Sequence, residues 1–154
     1  MLQRLELRVP PPIAALFAAF AMWAATPGTI AIAAASHIRI AVAVALTLVG
    51  VLFDAAAFIA FRRARTTVNP LKPQSASSLV TSGIYRITRN PMYVGLVFFL
   101  CAWAVVLGSW FAFLGPLAFA AYIGQFQIAP EEKALYALFG EPYREYQERV
   151  RRWL

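Results

Sequence analysis

IRIAVAVALTLVGVLFDAAAFIAF, residues 38–61, opens with a cation at Arg39 and carries one carboxylate, Asp54, and is otherwise made of residues that water does not hold. Coiled as a helix at about 1.5 Å per residue it reaches roughly 36 Å, enough to cross a hydrocarbon core of about 30 Å. Asp54 then sits about 10 Å from the end marked by Arg62 and Arg63. An ionisable group at that depth is costly and turns toward a bundle interior, for a place in a cleft or for an interhelical hydrogen bond. Three further apolar stretches flank this one: Ile13 to about Ala35, Met92 to Leu107, and Trp110 to Ala129. As helices they span roughly 34, 24 and 30 Å, the third stretch of the chain being the shortest. Pro27 and Gly28 interrupt the first, which is either a kinked span or a shorter one followed by an interfacial segment. A signal peptide is the competing reading of residues 1–35, with Arg4 and Arg8 before an apolar run and small residues near Ser36.

Composition agrees. Hydrophobic residues make up 61% of the 154 and charged residues 14%, against about a quarter charged in an ordinary soluble domain. A soluble globule could not cover itself with so little polar surface, whereas a bilayer accepts apolar faces once the backbone is satisfied inside helices. The chain therefore reads as one membrane domain, residues 1–154. Its net charge of +7 is dispersed in short segments between apolar runs, so no basic face for nucleic acid is expected. One cysteine, Cys101, and one histidine, His37, supply neither a disulfide framework nor a zinc site, and no metal is expected.

In a four-span bundle all the Lys and Arg residues except Arg39 fall on one side, and the positive-inside rule puts that side, with both termini, in the cytoplasm. The short connections between spans one and two and between spans three and four make tight antiparallel pairs. The segment from Arg62 to Asn90, with Pro70, Pro73, Ser75, Ser77 and Ser78, is expected to be mostly turn and extended chain folded over the helix ends. The tail predicts two short helices, one opened by Pro130 and closed by Gly140, the next restarting at Pro142. Tyr143, Tyr146, Val150 and Trp153 recur at three- and four-residue steps and share a face.

Two places carry candidate chemistry. Arg89 to Gly95 stands where the loop enters the third span, and Pro91 in a first helical turn leaves free amide donors beside an Arg and a Tyr, fit for a polar or anionic ligand or for a simple membrane-entry cap. Glu131 and Glu132 directly follow the fourth span; either one of them accepts hydrogen bonds from a ligand's hydroxyl or ammonium groups, or both serve the N-terminus of a tail helix. No Gly-x-Gly occurs, which argues against the Gly-rich turn of a Rossmann fold.

From Leu79 onward, the run Leu79, Val80, Thr81, Ser82, Gly83, Ile84, Tyr85, then Arg89, Pro91, Tyr93 and Gly95, then Glu131, Glu132, Leu135, Phe139, Gly140, Tyr143, Tyr146, Arg149 and Val150 resembles the isoprenylcysteine carboxyl methyltransferase family and the related phospholipid methyltransferases. The resemblance implies an all-helical membrane enzyme that uses S-adenosylmethionine, its pocket closed on the cytoplasmic side by the loop and the short C-terminal helices. It implies cofactor contacts from Val80, Tyr85, Arg89, Asn90, Pro91, Tyr93, Glu131 and Glu132, and catalytic roles for Glu132, Arg149 and Gln127. Arg149 is the candidate to orient an ionised carboxylate acceptor; an amine acceptor would instead need a Glu or water to take its proton. Asn90 stands where many members of the family have His, and Gln127 where the eukaryotic prenylcysteine enzymes have Arg. The expected acceptor is lipid-like, the carboxyl or thiol of a prenylated molecule first and a phospholipid amine second, and the expected location is a bacterial inner membrane. A non-catalytic scaffold or small transport subunit is the reading from a different class.

Overall fold

The computed structural model describes residues 7–27, 31–64 and 78–154. The described chain is helical, with two isolated β-bridges, Ala31 to Ser109 and Thr88 to Arg151. The helices are α1 (Pro11–Ala25), α2 (Ser36–Ala64), α3 (Pro91–Leu107), α4 (Leu114–Ile123), α5 (Ala129–Phe139) and α6 (Glu141–Arg149). A 3-10 turn, Gly83–Arg86, lies in the connection before α3. Residues 65–77, which hold Pro70, Pro73, Ser75 and Ser77 of the expected turn segment, lie outside the described residues, as do Arg4 and Gly28.

The first apolar stretch is shorter than its composition suggests. α1 starts with Pro11 in its first turn, where the missing N–H costs nothing, and ends at Ala25. Thr26 donates its hydroxyl to Met22 O at 2.6 Å, and Pro27 cannot continue the hydrogen-bond ladder. The helix is thus the shorter of the two forms expected, and beyond it Ala31 pairs with Ser109 outside any helix, while Ile32 N donates to Gly108 O at 2.7 Å.

The fourth stretch is longer than expected. One helical run extends from Trp110 to Phe139, through a 3-10 start, α4, a π-helical turn at Gly124–Ile128 and α5. Pro130 does not open a separate helix. It sits directly after the wide turn, a local departure of the sort that lets a helix accommodate a proline. Pro130 has no N–H to offer the preceding turn, and Phe126 O there accepts Leu7 N at 3.1 Å instead. The break falls at Gly140, whose φ of 58° few other residues adopt readily, and α6 restarts one residue before Pro142.

α3 is central, packing on α2, α1 and α4. Gly50 and Gly95 bring α2 and α3 together almost backbone to backbone: a Cβ at Gly95 would lie 3.1 Å from Gly50 O. One core joins α1, α3 and α4 around Met22, Leu100, Phe119 and Ile123. A second joins the end of α2 to the 3-10 turn and α6 through Ala57, Ala60, Tyr85, Tyr143 and Tyr146. Outward faces are greasy, with Leu16, Phe17, Phe20, Leu48, Leu52 and Leu117 among the exposed side chains. Such continuous apolar surface needs a nonaqueous neighbour. Ser36–Ala64 and Trp110–Phe139 are long and apolar enough to cross a bilayer, while Pro11–Ala25 and Pro91–Leu107 are apolar but shorter.

Candidate active site at the loop end of the bundle

A cavity of about 420 Å³ opens where α1, α2 and α3 meet the loop and α6, within the size of common small-molecule sites. Its wall combines Pro11 and Pro12, Asp54 and Phe61, Val80 and Tyr85, Arg89 to Tyr93, Glu131, Glu132 and Leu135, and Tyr143 with Tyr146. The loop block and the tail block, over 30 residues apart in sequence, thus converge on one space.

Two consecutive residues on α5 point along different directions, and this separates the two carboxylates. Glu131 accepts the Tyr93 hydroxyl at 2.6 Å. Glu132 accepts Arg89 Nη2 at 2.8 Å and is also held by Arg152. The Arg89 and Glu132 side chains are only 11% and 12% exposed, so each depends on the other for compensation of its charge. Neither Glu serves a free helix N-terminus, because α5 continues from the turns before it.

Arg89 is fixed further by donation from Nη1 to Gln147 O at 3.1 Å, while its Nε is buried without a hydrogen-bond partner among the described residues. The last residues run beside the loop. Arg89 N donates to Arg151 O at 2.9 Å, and Arg152 O accepts both Asn90 Nδ2 at 2.9 Å and the Thr88 hydroxyl at 3.3 Å. Asn90 is therefore a tether for the C-terminal segment. The amide cluster expected at the start of α3 is largely spent, since Tyr93 N and Val94 N both donate back to Asn90 O.

Aromatic side chains make the outer wall. Tyr146 donates its hydroxyl to Tyr85 O at 2.7 Å, and the Tyr85 ring meets Phe61 edge-on at 5.5 Å. Burial pushes the phenols of Tyr85, Tyr143 and Tyr146 above the ordinary tyrosine range, so they stay neutral.

Of the residues expected from sequence, Val80, Tyr85, Arg89, Asn90, Pro91, Tyr93, Glu131 and Glu132 all line the cavity. Arg149 and Gln127 do not. Arg149 is exposed on the outer side of α6, its Nε donating to Glu145 O at 3.2 Å, because Tyr143 and Tyr146 take the inward face. Gln127 is buried in the π turn and donates Nε2 to Val9 O at 2.6 Å, holding the segment before α1. Sequence reasoning missed Arg152, Pro11 and Pro12. Pro11 and Pro12 reach the wall from the other end of the chain, and Arg152 meets Glu132 from 20 residues away, so no local spacing marks them.

Residues 38–142 match the family described as phospholipid methyltransferase. A Haemophilus influenzae protein described as uncharacterized is 49% identical over 63 residues, 41% of this chain and all of that protein. The protein-S-isoprenylcysteine O-methyltransferase of Schizosaccharomyces pombe is 35% identical over 75 residues, covering 47% of this chain and 30% of the relative. Protein-S-isoprenylcysteine O-methyltransferase B of Arabidopsis thaliana is 30% identical over 108 residues, covering 68% of this chain and 53% of the relative. The chain thus spans about half or less of the length of these named methyltransferases. No solved structure matches it. The matched residues run from the start of α2 into α6 and hold most of the cavity wall, in a bundle whose surface is apolar; the chain belongs to the phospholipid methyltransferase family.

Proposed function

We propose that this protein transfers a methyl group from S-adenosylmethionine to a lipid-like acceptor held in the bilayer. The observation that carries the reading is the convergence of both motif blocks on one cavity at the end of apolar helices. In this reading the four helical runs all cross the membrane, α1 and α3 with help from their flanking turns. The loop, the C-terminal segment and both termini face the cytoplasm of a bacterial inner membrane, as the Lys and Arg asymmetry favours.

The cavity suits the cofactor chemically. Glu131 and Asp54 offer acceptors, Arg89 Nε, which has no partner among the described residues, offers a donor, and Tyr85, Tyr143 and Leu135 offer flat or apolar wall for a base. Glu132, assigned to the cofactor by resemblance, is taken up by Arg89 and Arg152, so its part is to hold the loop and the C-terminal segment shut over the site. S-adenosylmethionine, when bound, supplies an electrophilic methyl group. The protein then has to line up the acceptor, exclude water and balance charge. Tyr143 and Tyr146 exclude water, and the space between α1 and α2, which have few mutual contacts, admits a hydrocarbon tail from lipid.

The names of the plant and yeast relatives favour a prenylated carboxyl acceptor. A second reading, an amine-bearing lipid, is favoured by the wall itself: Asp54 and Glu131 are carboxylates, Arg89 is committed to Glu132, and Arg149 lies outside. An ionised carboxylate acceptor would meet like charge there, an ammonium its opposite. The experiment is methyl-labelled S-adenosylmethionine in proteoliposomes offered either an S-prenylcysteine or phosphatidylethanolamine. Label should enter the lipid phase with one of them, base-labile as an ester or base-stable as an amine. No label in the lipid phase with either acceptor sinks the proposal.

A further inference from the structure

We propose that Asp54 is a ligand-binding residue, whose carboxylate takes up a cation or N–H donor brought into the cavity by the molecule that binds there. The inference rests on the methyl-transfer reading above.

Asp54 lies on α2, one helical turn after Gly50, and faces the cavity. Its Oδ1 is screened from solvent and has no hydrogen-bond partner among the described residues. A carboxylate oxygen left unpaired inside an apolar helix bundle is expensive, and such groups are found where they serve a ligand or a path. Among the described residues Oδ1 takes no interhelical hydrogen bond that would explain Asp54 structurally.

The seat for this side chain is shaped by α3. A Cβ at Gly95 would collide with Asp54 Oδ1 and come within 2.9 Å of its Cγ. Any other residue at position 95 would push the carboxylate aside. Glycine at a helix interior is costly relative to alanine by propensity alone, so here it gives space both to the close helix crossing and to the acid.

The charged groups around the cavity point the same way. Glu131 is a second carboxylate in the wall, and the cation there, Arg89, is bound to Glu132 and to Gln147 O. Two acids in an apolar, partly closed space favour a positively charged guest. Two guests share that chemistry: the methyl donor, through its sulfonium and ammonium groups, and an amine acceptor, through its ammonium or N–H.

The test uses the full chain in nanodiscs, with Asp54→Asn as a variant of the same shape. S-adenosylmethionine and S-adenosylhomocysteine affinities are measured by calorimetry, and the KM of phosphatidylethanolamine by methyl transfer. If Asp54 faces the donor, Asp54→Asn weakens S-adenosylmethionine binding at least tenfold, and the neutral-sulfur product less where the sulfonium is the partner but equally where the ammonium is. If it faces the acceptor, donor affinity stays within twofold and the acceptor KM rises at least tenfold. Either result supports the proposal. All three quantities within twofold of the parent would overturn it while leaving methyl transfer standing; a parent that binds no donor overturns both. Should Asp54→Asn not give folded protein, Gly95→Ala, which keeps the acid but displaces it, is read by the same criteria.

Discussion

The two ends of α3 are finished in opposite ways. At Gly108 the helix itself closes locally, with φ at 67° and its N–H bonding back to Ala104 O and Val105 O, and the distant chain adds only Ile32 N on Gly108 O and Arg39 where a side chain would go. At Asn90 the helix has no side-chain cap, and its neighbours reach far along the chain, Arg89 to Glu132, Asn90 and Thr88 to Arg152. A local closure costs little chain entropy and can be rigid by itself. A closure assembled from distant partners forms only when the whole bundle is in place. The second design can enclose a cavity and be opened by exchanging partners, and that end holds the candidate site.

The largest effect should come from Glu132→Ala. It strands the buried Arg89 guanidinium, and loss of one partner of a buried pair costs about 3 to 5 kcal/mol; the 12% exposure of Glu132 places the effect near the lower end, about 3 kcal/mol. Unfolding in detergent should show this, together with weakened S-adenosylmethionine binding. A stability loss without any change in binding would mean the pair is a structural clamp apart from the site.

Gly108→Ala should come next. The left-handed backbone costs a residue with a Cβ roughly 1 to 2 kcal/mol, and the new methyl displaces Arg39 as well. Melting temperature should fall while donor affinity per folded molecule stays at the parent value. A drop in affinity would show that the two ends are coupled through α3.

The smallest effects belong to exposed arginines. Arg152 is 44% exposed, so removing its side chain should cost under about 1 kcal/mol, as solvent screens the pair and the backbone carbonyl that tethers Thr88 and Asn90 remains. Arg149→Ala should change neither stability nor donor affinity. Should Arg149→Ala instead abolish turnover on a carboxylate acceptor, α6 must turn during catalysis to bring that cation inward.

Much was legible without coordinates. Long apolar runs with few charges can only be helices against lipid, because backbone groups there must be satisfied within the segment; that argument needs no partner residue. It located α2 and α3 to within a few residues, and the ordered motif blocks located eight residues of the cavity wall. What local reading could not decide was continuity. Pro130 looks like a helix start, yet the run from Trp110 passes through it, with Phe126 O taken by Leu7 from the other end of the chain.

The sequence by itself therefore determined where most of the helices lie, that they are clothed in apolar side chains, and which two blocks supply much of the cavity wall, since each follows from a continuous stretch. Only the tertiary structure decided which carboxylate is paired with a cation. Glu131 and Glu132 are neighbours of one type, but one is met by Tyr93 and the other by two arginines from opposite sides. It also sent Gln127 to the segment before α1 and Arg149 to the outside, and gave Asp54 its seat over Gly95. Those outcomes depend on which way each helix faces when it packs, and facing is settled by contacts between residues far apart in the chain.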